Sequence, residues 1–393
     1  MLIKSLQLTN LLSFGPETPA LELCPLNVLI GPNGSGKSNF LEALALLQAA
    51  PRDLTTPFQD AGVREWLHKC PDRAASDPIE ARLEAVVSQQ EGQPDLRYGL
   101  AFGAVGERLE ITDEFLENAQ PAPGHENPYF YYKWDSGRPM LNVAGQGGPR
   151  TLKRESIKPD QSILAQRRDS DTYPELTAFA ETLSDLQLYR DWTFGRRAPV
   201  RQSQRTDERI DRLLPDAANL ALVINRLKRD GWARRRLIEG LRRIYEGVDE
   251  VLTDISGGRA QLFLLDGTGA IPAARLSDGT LRYLFLLTLL CDPNPPPLLV
   301  IEEPELGLHP DLLPSLADLL VEASQRTQII ATTHAPALVD ALSHQPESVV
   351  VCERRDGGAT HMERLDAEHL APWLEKFRLG QLWISGEIGG TRW

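Results

Sequence analysis

The amino-acid sequence predicts an α/β fold whose buried core is a mostly parallel sheet. Two observations support this prediction. Short apolar runs at residues 26–30, 298–301 and 328–332 carry no charged side chain, as is typical of strands that are buried on both faces. Stretches with apolar residues at helical spacing follow these runs, and alternating strands and helices indicate a parallel sheet covered by helices. A chain of 393 residues is long enough to carry further subdomains around such a core.

The composition limits the class of protein. Hydrophobic residues make up 41% and charged residues 25% of the chain, which are ordinary values for a soluble globular protein. The net charge of −13 excludes a protein that coats nucleic acid with its whole surface, but it allows a local basic patch. The 4 cysteines form no C-x-x-C pair, which argues against a zinc site and favours a cytoplasmic location. Because no apolar run approaches the ~20 residues of a membrane span, we expect no membrane association.

Residues 31–38, here called the phosphate loop, lie between a predicted strand and a predicted helix. They match the pattern G-x-x-x-x-G-K-S, in which glycines let backbone N–H groups turn toward phosphates and the helix N-terminus adds partial positive charge. We expect Lys37 to reach the β- and γ-phosphates and Ser38 to ligate Mg²⁺. The predicted cofactors are therefore ATP and Mg²⁺. The predicted ATP-binding residues of this segment are Gly31, Pro32, Asn33, Gly34, Ser35, Gly36, Lys37, Ser38 and Asn39.

The first half of the chain shows mainly strand patterns. Before the loop we predict strands at residues 2–8, 20–23 and 26–30. Alternating segments at residues 79–87, 96–102 and 107–111 predict a small antiparallel sheet, and residues 117–150 predict a long surface loop or hairpin.

The second half alternates helices with strands. Helices are predicted at residues 174–190, around 220–227 and 237–245, from 276 onward, and at 312–323. Strands are predicted at 262–266, 298–301 and 328–332, and the last strand of the chain is predicted at 348–353. Between Arg196 and Arg243 the chain has fourteen Lys or Arg residues and six Asp or Glu residues. This acidic protein therefore has a locally basic region.

Two acidic residues end the apolar strand at 298–301. Carboxylates at the end of a central strand allow one side chain, Glu302, to hold Mg²⁺ and the next, Glu303, to polarise the attacking water. An acid pair at a strand end can equally be a solvated turn. The phosphate loop in the same chain favours the functional interpretation.

Residues 276–280, LSDGT, open a predicted helix. Ser277 and Gly279 at a helix N-terminus make a second anion-binding surface, although Ser caps helices in many proteins and the motif alone is a weak signal. Its position strengthens the interpretation, because it precedes the acid pair. After the acid pair come PELGLHP at 304–310 and IIATTH at 329–334.

In this order the motifs resemble the ABC-type ATPase heads of the SMC and RecF class. The sequence is most similar to bacterial predicted ATPases of an AAA-like group whose heads carry LSDGT and EEPELGLHP. Residues 3–14 and 378–386 are similar to the two ends of the same proteins. The resemblance is clear for residues 1–50 and 270–345, loose for 160–200 and the C-terminus, and absent for 51–155.

The resemblance implies an ABC-type P-loop ATPase head with a mixed sheet core, an antiparallel β subdomain and a helical subdomain. Both subdomains are inserted between the phosphate loop, which is Walker A in this family, and the signature at 276–280. The expected divisions are 1–50, the lobe with Walker A; 51–155, a β-rich subdomain; 156–270, the Q-loop and a helical, Arg-rich subdomain; and 271–393, the lobe with signature, Walker B at 298–303, D-loop and switch histidine.

The resemblance also implies site roles. Ser277 and Gly279 would contact the γ-phosphate held by the other protomer, so that two ATP molecules are enclosed in a homodimer, with residues 306–310 as the D-loop. His334 would be the switch histidine that contacts the γ-phosphate. Gln166 is the candidate for the glutamine that coordinates Mg²⁺ and water, Gln161 is the second choice, and a plain surface glutamine is the alternative.

The sequence departs from the family pattern at several positions. The signature is LSDGT rather than LSGGQ, and Glu302 replaces the usual aspartate, which implies slow turnover. The segment between the phosphate loop and the signature is too short and irregular for the coiled-coil arms of SMC proteins. No Asp-x-Asp follows the last head strand, so we expect no nuclease domain of the kind that some relatives carry.

Two biological roles remain open. In one, the ATPase acts on DNA in repair or phage defence through Arg196–Arg243, with Arg234, Arg235 and Arg236 contacting phosphates. These arginines can equally form ion pairs with the protein's own acidic surface. In the other role, the head is a scaffold that holds and regulates a separately encoded effector, a nuclease or toxin, without binding DNA. The resemblance implies a defence role of this kind for many relatives.

Overall fold

The computed structural model describes residues 2–69, 80–89, 92–135, 137–143, 150–153, 156–190, 192, 194–355 and 358–390. Its strands are β1 Ile3–Thr9, β2 Leu21–Glu22, β3 Leu26–Ile30, β4 Ala81–Val87, β5 Leu96–Val105, β6 Arg108–Asn118, β7 Phe130–Asp135, β8 Arg138–Leu141, β9 Arg150–Thr151, β10 Gln187–Tyr189, β11 Gln204–Arg205, β12 Val248–Ser256, β13 Arg259–Asp266, β14 Gly269–Pro272, β15 Leu298–Glu302, β16 Gln328–Thr332, β17 Val349–Arg354 and β18 Thr360–Arg364.

The helices follow the same chain order. They are α1 Lys37–Ala49, α2 Ile163–Gln166, α3 Pro174–Ser184, α4 Leu220–Leu227, α5 Gly231–Arg242, α6 Asp278–Leu290, α7 Leu313–Ser324, α8 Pro336–Ala341, α9 Ala367–Leu374 and α10 Leu379–Ile384. In the part of the chain described above, no helix combines the length and the apolar character that crossing a bilayer requires.

The central sheet has the strand order β10-β15-β16-β3-β17-β18. All its pairs are parallel except β17 with β18, so the sheet is mixed, as predicted. The carboxyl ends of parallel strands open on one edge of a sheet, which is where α/β proteins bind ligands. The segments that follow β3, β15 and β16 therefore meet on one edge. These segments carry the phosphate loop, the acid pair and His334.

The two faces of the central sheet are covered by different layers. Leu298 and Val300 of β15 pack with α1 and with a second, antiparallel sheet whose order is β2-β1-β4-β5-β6-β7-β8-β9. Leu299 and Ile301, which point to the opposite face, pack with α4, α6 and α7. Because β15 is buried on both faces, every one of its positions up to Ile301 is apolar. The strands of residues 81–151 continue the sheet that β1 and β2 begin.

A third sheet stands beside α4 and α5. Strand β13 pairs antiparallel with β11, β12 and β14, and its buried residues Leu262 and Leu264 join the core that surrounds α6. Helix α6 is buried from Leu281 to Leu290, which explains why its sequence is apolar on all sides apart from Arg282, Tyr283 and Thr288.

Two local predictions are wrong. The helix predicted for residues 174–190 ends at Ser184, because Gln187–Tyr189 pairs in parallel with Leu299–Ile301 as the edge strand β10. The strand at 348–353 is not the last one, since β18 follows it and pairs antiparallel with β17. Both errors concern edge strands, whose pairing depends on distant residues. Of the strand predicted at 79–87, residue 79 lies outside the described residues and the strand begins at Ala81.

Candidate nucleotide-binding site

The phosphate loop has backbone angles and neighbours that require glycine. Gly31 and Gly36 have φ angles of 144° and 107°, which side-chain-bearing residues rarely adopt. A Cβ on Gly31 would collide with the carbonyl oxygen of Cys352, and a Cβ on Gly36 would collide with Thr360. Strands β17 and β18 therefore pack against the loop from one side and leave no room for a side chain at these two positions.

The remaining loop residues have defined places. Gly34 faces open space and has a φ of 79°. The carbonyl oxygen of Ser35 accepts a hydrogen bond from Thr360 Oγ1 at 2.9 Å, and Asn39 Nδ2 donates to Ser13 Oγ at 2.7 Å. These contacts attach both ends of the turn to β18 and to the segment after β1.

Lys37 is enclosed by the loop. Its side chain is buried, and its ammonium donates to the carbonyl oxygens of Gly31 at 2.8 Å and Pro32 at 3.1 Å. Burial lowers the pKa of Lys37, and the nearby carboxylates of Glu303 and Glu302 act in the opposite direction. The cation therefore lies where the loop curves, with two carboxylates close enough to influence its charge.

The side chains predicted to hold Mg²⁺ from the loop and from the acid pair are in contact. Ser38 Oγ donates to Glu302 Oε1 at 2.6 Å, across 264 residues of chain. This donor set fits Mg²⁺, which takes one or two protein oxygens and completes its octahedron with phosphate oxygens and water. Among the described residues no group of three or more His, Cys, Asp and Glu side chains forms a separate metal site.

Arg190 and Trp192, which were not predicted to contact Glu302, both donate hydrogen bonds to it. Arg190 Nε donates to Glu302 Oε2 at 3.0 Å, and Arg190 Nη1 donates to Glu42 Oε1 at 2.7 Å. Trp192 Nε1 donates to the backbone oxygen of Glu302 at 2.6 Å. Both residues follow β10, so only the pairing of β10 with β15 brings them to the site.

The structure does not bring Gln166 to this cluster. Its amide oxygen accepts from the backbone N–H of Lys158 at 2.9 Å, and its amide nitrogen donates to the backbone oxygen of Gln161 at 2.6 Å. The amide group of Gln166 is therefore used within its own segment, and the position beside Glu302 is taken by Arg190. Neither Gln166 nor Gln161 is therefore part of the metal site proposed below.

Glu303 and His334 face each other at the edge of the sheet. Glu303 has a φ of 46°. Its backbone N–H donates to two atoms of Thr332, the carbonyl oxygen at 3.2 Å and the side-chain Oγ1 at 3.1 Å. His334 Nε2 lies 3.6 Å from Glu303 Oε1. Burial, and then the charge of Lys37, lower the pKa of His334, which favours the neutral imidazole at pH 7.

Glu305 supports this arrangement and was not predicted. Its Oε1 atom accepts hydrogen bonds from Thr333 Oγ1 at 2.6 Å and from the backbone N–H of His334 at 2.9 Å. The carboxylate therefore holds the turn that carries His334. The only sequence signal was a third acid in the segment EEPE.

Ser277 and Gly279 begin helix α6. Ser277 is the N-cap residue, and its Oγ accepts from the backbone N–H of Thr280 at 3.0 Å. A Cβ on Gly279 would lie 3.0 Å from the carbonyl oxygen of Gly307, so the helix start contacts the segment after Walker B. An open groove of about 680 Å³ adjoins this contact, and among its lining residues are Arg243, Ser277, Gly279, Gly307 and His309.

The C-terminal segment reaches the phosphate loop, which the sequence analysis did not predict. Gly390 has a φ of 70°, and a Cβ on it would lie 3.5 Å from the Cα of Gly31. The backbone N–H of Gly390 donates to Glu353, and Trp383 Nε1 donates to the carbonyl oxygen of Gly390 at 3.0 Å. Gly390 is thereby anchored against the start of the loop.

Many arginines of the basic region between Arg196 and Arg243 form ion pairs within the chain. Arg234 pairs with Glu250, and Arg236 pairs with Glu322 and Glu239. The other pairs are Arg201–Asp278, Arg205–Asp207, Arg209–Asp211, Arg212–Asp185 and Arg226–Asp292. Much of the local positive charge is therefore neutralised by the protein's own carboxylates.

Comparison with known proteins agrees with this fold. Residues 26–340 match the family model described as AAA domain, putative AbiEii toxin, Type IV TA system. The Smc head bound to the C-winged-helix domain of ScpA is 14% identical with a TM-score of 0.59, and the match covers 93% of this chain and 99% of that one. No curated protein matches significantly in sequence.

A second solved structure gives the same result. It is the Smc head domain with an extended coiled coil bound to the C-terminal domain of ScpA, derived from Pyrococcus furiosus. It is 13% identical with a TM-score of 0.58, and the match covers 95% of this chain and 98% of that one. The predicted mixed α/β fold, that of an SMC-type head domain, is confirmed.

Proposed function

The chain belongs to the AAA-domain family described as putative AbiEii toxin, Type IV TA system, and we propose that it binds Mg·ATP and hydrolyses it at the edge of its central sheet. One observation carries this proposal: the 2.6 Å hydrogen bond from Ser38 Oγ to Glu302 Oε1. This bond joins the phosphate loop to the acid pair in the arrangement that a nucleotide-bound Mg²⁺ needs. The fold alone would not require it.

Each residue of the site then has a chemical role. Lys37 binds the β- and γ-phosphates, and the backbone N–H groups of residues 31–38 surround them. Ser38 and Glu302 hold the metal ion, which neutralises charge on the phosphates. Glu303 accepts a proton from the attacking water, and His334 donates a hydrogen bond to the γ-phosphate.

We further propose that hydrolysis takes place in a homodimer. Ser277 and Gly279 form an anion-binding helix start beside an open groove, and the exposed side chain of Leu306 lies in the adjoining segment. In this arrangement the helix start of one protomer contacts the γ-phosphate bound by its partner. The dimer is then a switch that closes with ATP and opens after hydrolysis.

Binding and assembly are tested on the purified chain. We expect ATP binding in titration calorimetry with Mg²⁺, and its loss in Lys37→Ala. Light scattering should show that Mg·ATP increases the dimer fraction of the wild type, whereas a Ser277→Arg variant, which blocks the helix start, should bind ATP and stay monomeric. A wild-type chain that does not bind ATP refutes the proposal, and ATP binding without any dimer refutes the two-site arrangement alone.

For the biological role we favour the scaffold over direct action on DNA. The ion pairs of Arg234 and Arg236 leave these side chains less available for phosphates. In addition, the family description refers to toxin–antitoxin systems, and the two similar Smc heads are each bound to a separate protein. We therefore propose that the ATP-dependent switch regulates a separately encoded effector.

Two measurements separate these roles. If the scaffold role is correct, a protein encoded next to this chain's own gene copurifies with it and dissociates on ATP hydrolysis. If the DNA role is correct, the chain binds DNA with an affinity that falls steeply with salt, and Arg234→Glu with Arg235→Glu and Arg236→Glu abolishes that binding.

A further inference from the structure

A buried arginine lies between helix α6 and the segment of residues 303–307, here called the hydrolysis loop. Arg282 is in the second turn of α6 and is 7% exposed. Its guanidinium stacks over the ring of Trp192 at 4.5 Å and lies 5.9 Å from the ring of Phe194. Among the described residues, no hydrogen-bond partner contacts its Nε or Nη2 atom. Burying a cation costs hydration free energy, which favourable contacts with nearby groups must offset.

The neighbours of Arg282 belong to the site. Trp192 donates to the backbone oxygen of Glu302 at 2.6 Å. A Cβ on Gly307 would lie 3.4 Å from Arg282 Nη1, so the guanidinium lies beside Gly307 in the segment after Walker B. The same guanidinium is therefore next to Trp192, which bonds Glu302, and next to the segment that begins with Glu303.

Charge also connects Arg282 to this loop. Burial lowers the pKa of Arg282 to about 10, and the carboxylates of Glu305 and Glu303 act in the opposite direction. The Oε2 atom of Glu305 is buried and, like Arg282 Nε, has no hydrogen-bond partner among the described residues. A cation at this place attracts both carboxylates toward α6.

We propose that Arg282 is a positioning residue for hydrolysis, which holds the loop of residues 303–307 against the start of α6 so that Glu303 points at the attacking water. This inference rests on the proposed ATPase function. Arginine suits the position because its planar guanidinium stacks on Trp192 while its charge attracts the loop. Arg282 acts through Glu303 and Glu305 and does not touch ATP.

The proposal predicts that activity and stability change in opposite directions. Arg282→Met keeps a long side chain beside Trp192 and removes a buried charge that forms no ion pair among the described residues, so the free-energy cost of burying that charge disappears. We expect a melting temperature that is unchanged or higher and an ATP dissociation constant within about threefold of the wild type. We expect kcat to fall about tenfold or more, because one misaligned catalytic group commonly costs that much.

The matched control is Arg108→Met, an exposed arginine of β6 far from these residues in the chain. It should have wild-type kcat. Arg282→Lys keeps the charge but cannot stack on Trp192 as the planar guanidinium does, and it should recover part of the lost kcat. If the Met variant does not fold, the Lys variant is used to test the inference.

Three results would overturn the inference. Wild-type kcat in Arg282→Met contradicts positioning, and a lower melting temperature with ATP binding weakened as strongly as kcat points to a structural role only. Loss of kcat in Arg282→Lys equal to that in Arg282→Met contradicts the role of charge. If the wild-type chain binds ATP without hydrolysing it, the proposed function itself fails, which the wild-type assay shows before any variant is compared.

Discussion

The most informative variant is Glu303→Gln. Glutamine has nearly the same shape as glutamate, and the bonds that place residue 303 come from its backbone N–H to Thr332 at 3.2 and 3.1 Å. The φ of 46° is no harder for glutamine to adopt than for glutamate. The substitution therefore leaves the loop in place and removes the negative charge with which residue 303 accepts a proton from water.

The expected effect of Glu303→Gln is a large loss of turnover with little change in ATP binding. General-base catalysis contributes about 10²–10⁴ in rate, so kcat should fall by that factor, equivalent to about 2.7–5.4 kcal/mol of activation free energy. ATP binding should change less than about threefold, because Lys37 and the phosphate loop are untouched. The trapped ATP should then raise the dimer fraction above that of the wild type.

The assay combines phosphate release with light scattering, with and without Mg·ATP. Glu107→Gln is the matched control, since the Glu107 side chain is 80% exposed and lies outside the site. Turnover within twofold of the wild type would refute the assignment of Glu303 as the base. Slow turnover without an increase in dimers would agree with Glu303 as the general base but would refute the closed-dimer model.

Further predictions concern the metal, the C-terminal segment and a buried carboxyl. Ser38→Ala removes the hydroxyl that bonds Glu302, so the Mg²⁺ concentration for half-maximal hydrolysis should rise about tenfold; an unchanged metal titration would contradict this role. Gly390→Val places a β-branched side chain at a φ of 70° against Gly31, so ATP affinity in calorimetry should fall about tenfold, and equal affinity would show that the C-terminal contact does not support the loop. Burial raises the pKa of Glu114 to about 7 from 4.5, so the folded chain holds an extra proton between these values. Stability should therefore fall as pH rises from about 4.5 to 7, by up to about 3 kcal/mol, and Glu114→Gln should flatten this fall in urea unfolding at several pH values; the same slope in both proteins would contradict it.

The phosphate loop shows how much local sequence can predict. Its shape depends on glycines at positive φ and on a strand and a helix directly beside it, and all of these lie between Leu26 and Ala49. The strands β3, β15 and β16 were likewise predictable, because burial on both faces requires uncharged apolar runs. Motif order then predicted that Glu303 and His334 belong to one site, and the structure places them 3.6 Å apart.

The assignment of Gln166 shows where such reasoning ends. A glutamine between two halves of a head matches the expected order, but its amide is bonded within its own segment. Arg190 and Trp192 reach Glu302 because β10 pairs with β15, and nothing in the residues around 187–189 distinguishes an edge strand from the end of a helix. Edge strands are specified by their partners, which the local sequence does not contain.

The sequence by itself therefore determined the fold class, the phosphate loop and the identity of the acid pair. Each depends on neighbouring residues and on a hydrophobic period that can be counted along the chain. Only the tertiary structure decided that Arg190 stands beside Glu302, that Gly390 lies against Gly31, and that Arg282 is buried under the hydrolysis loop. Because these contacts join segments far apart in the chain, they form only after the sheets and helices have packed together.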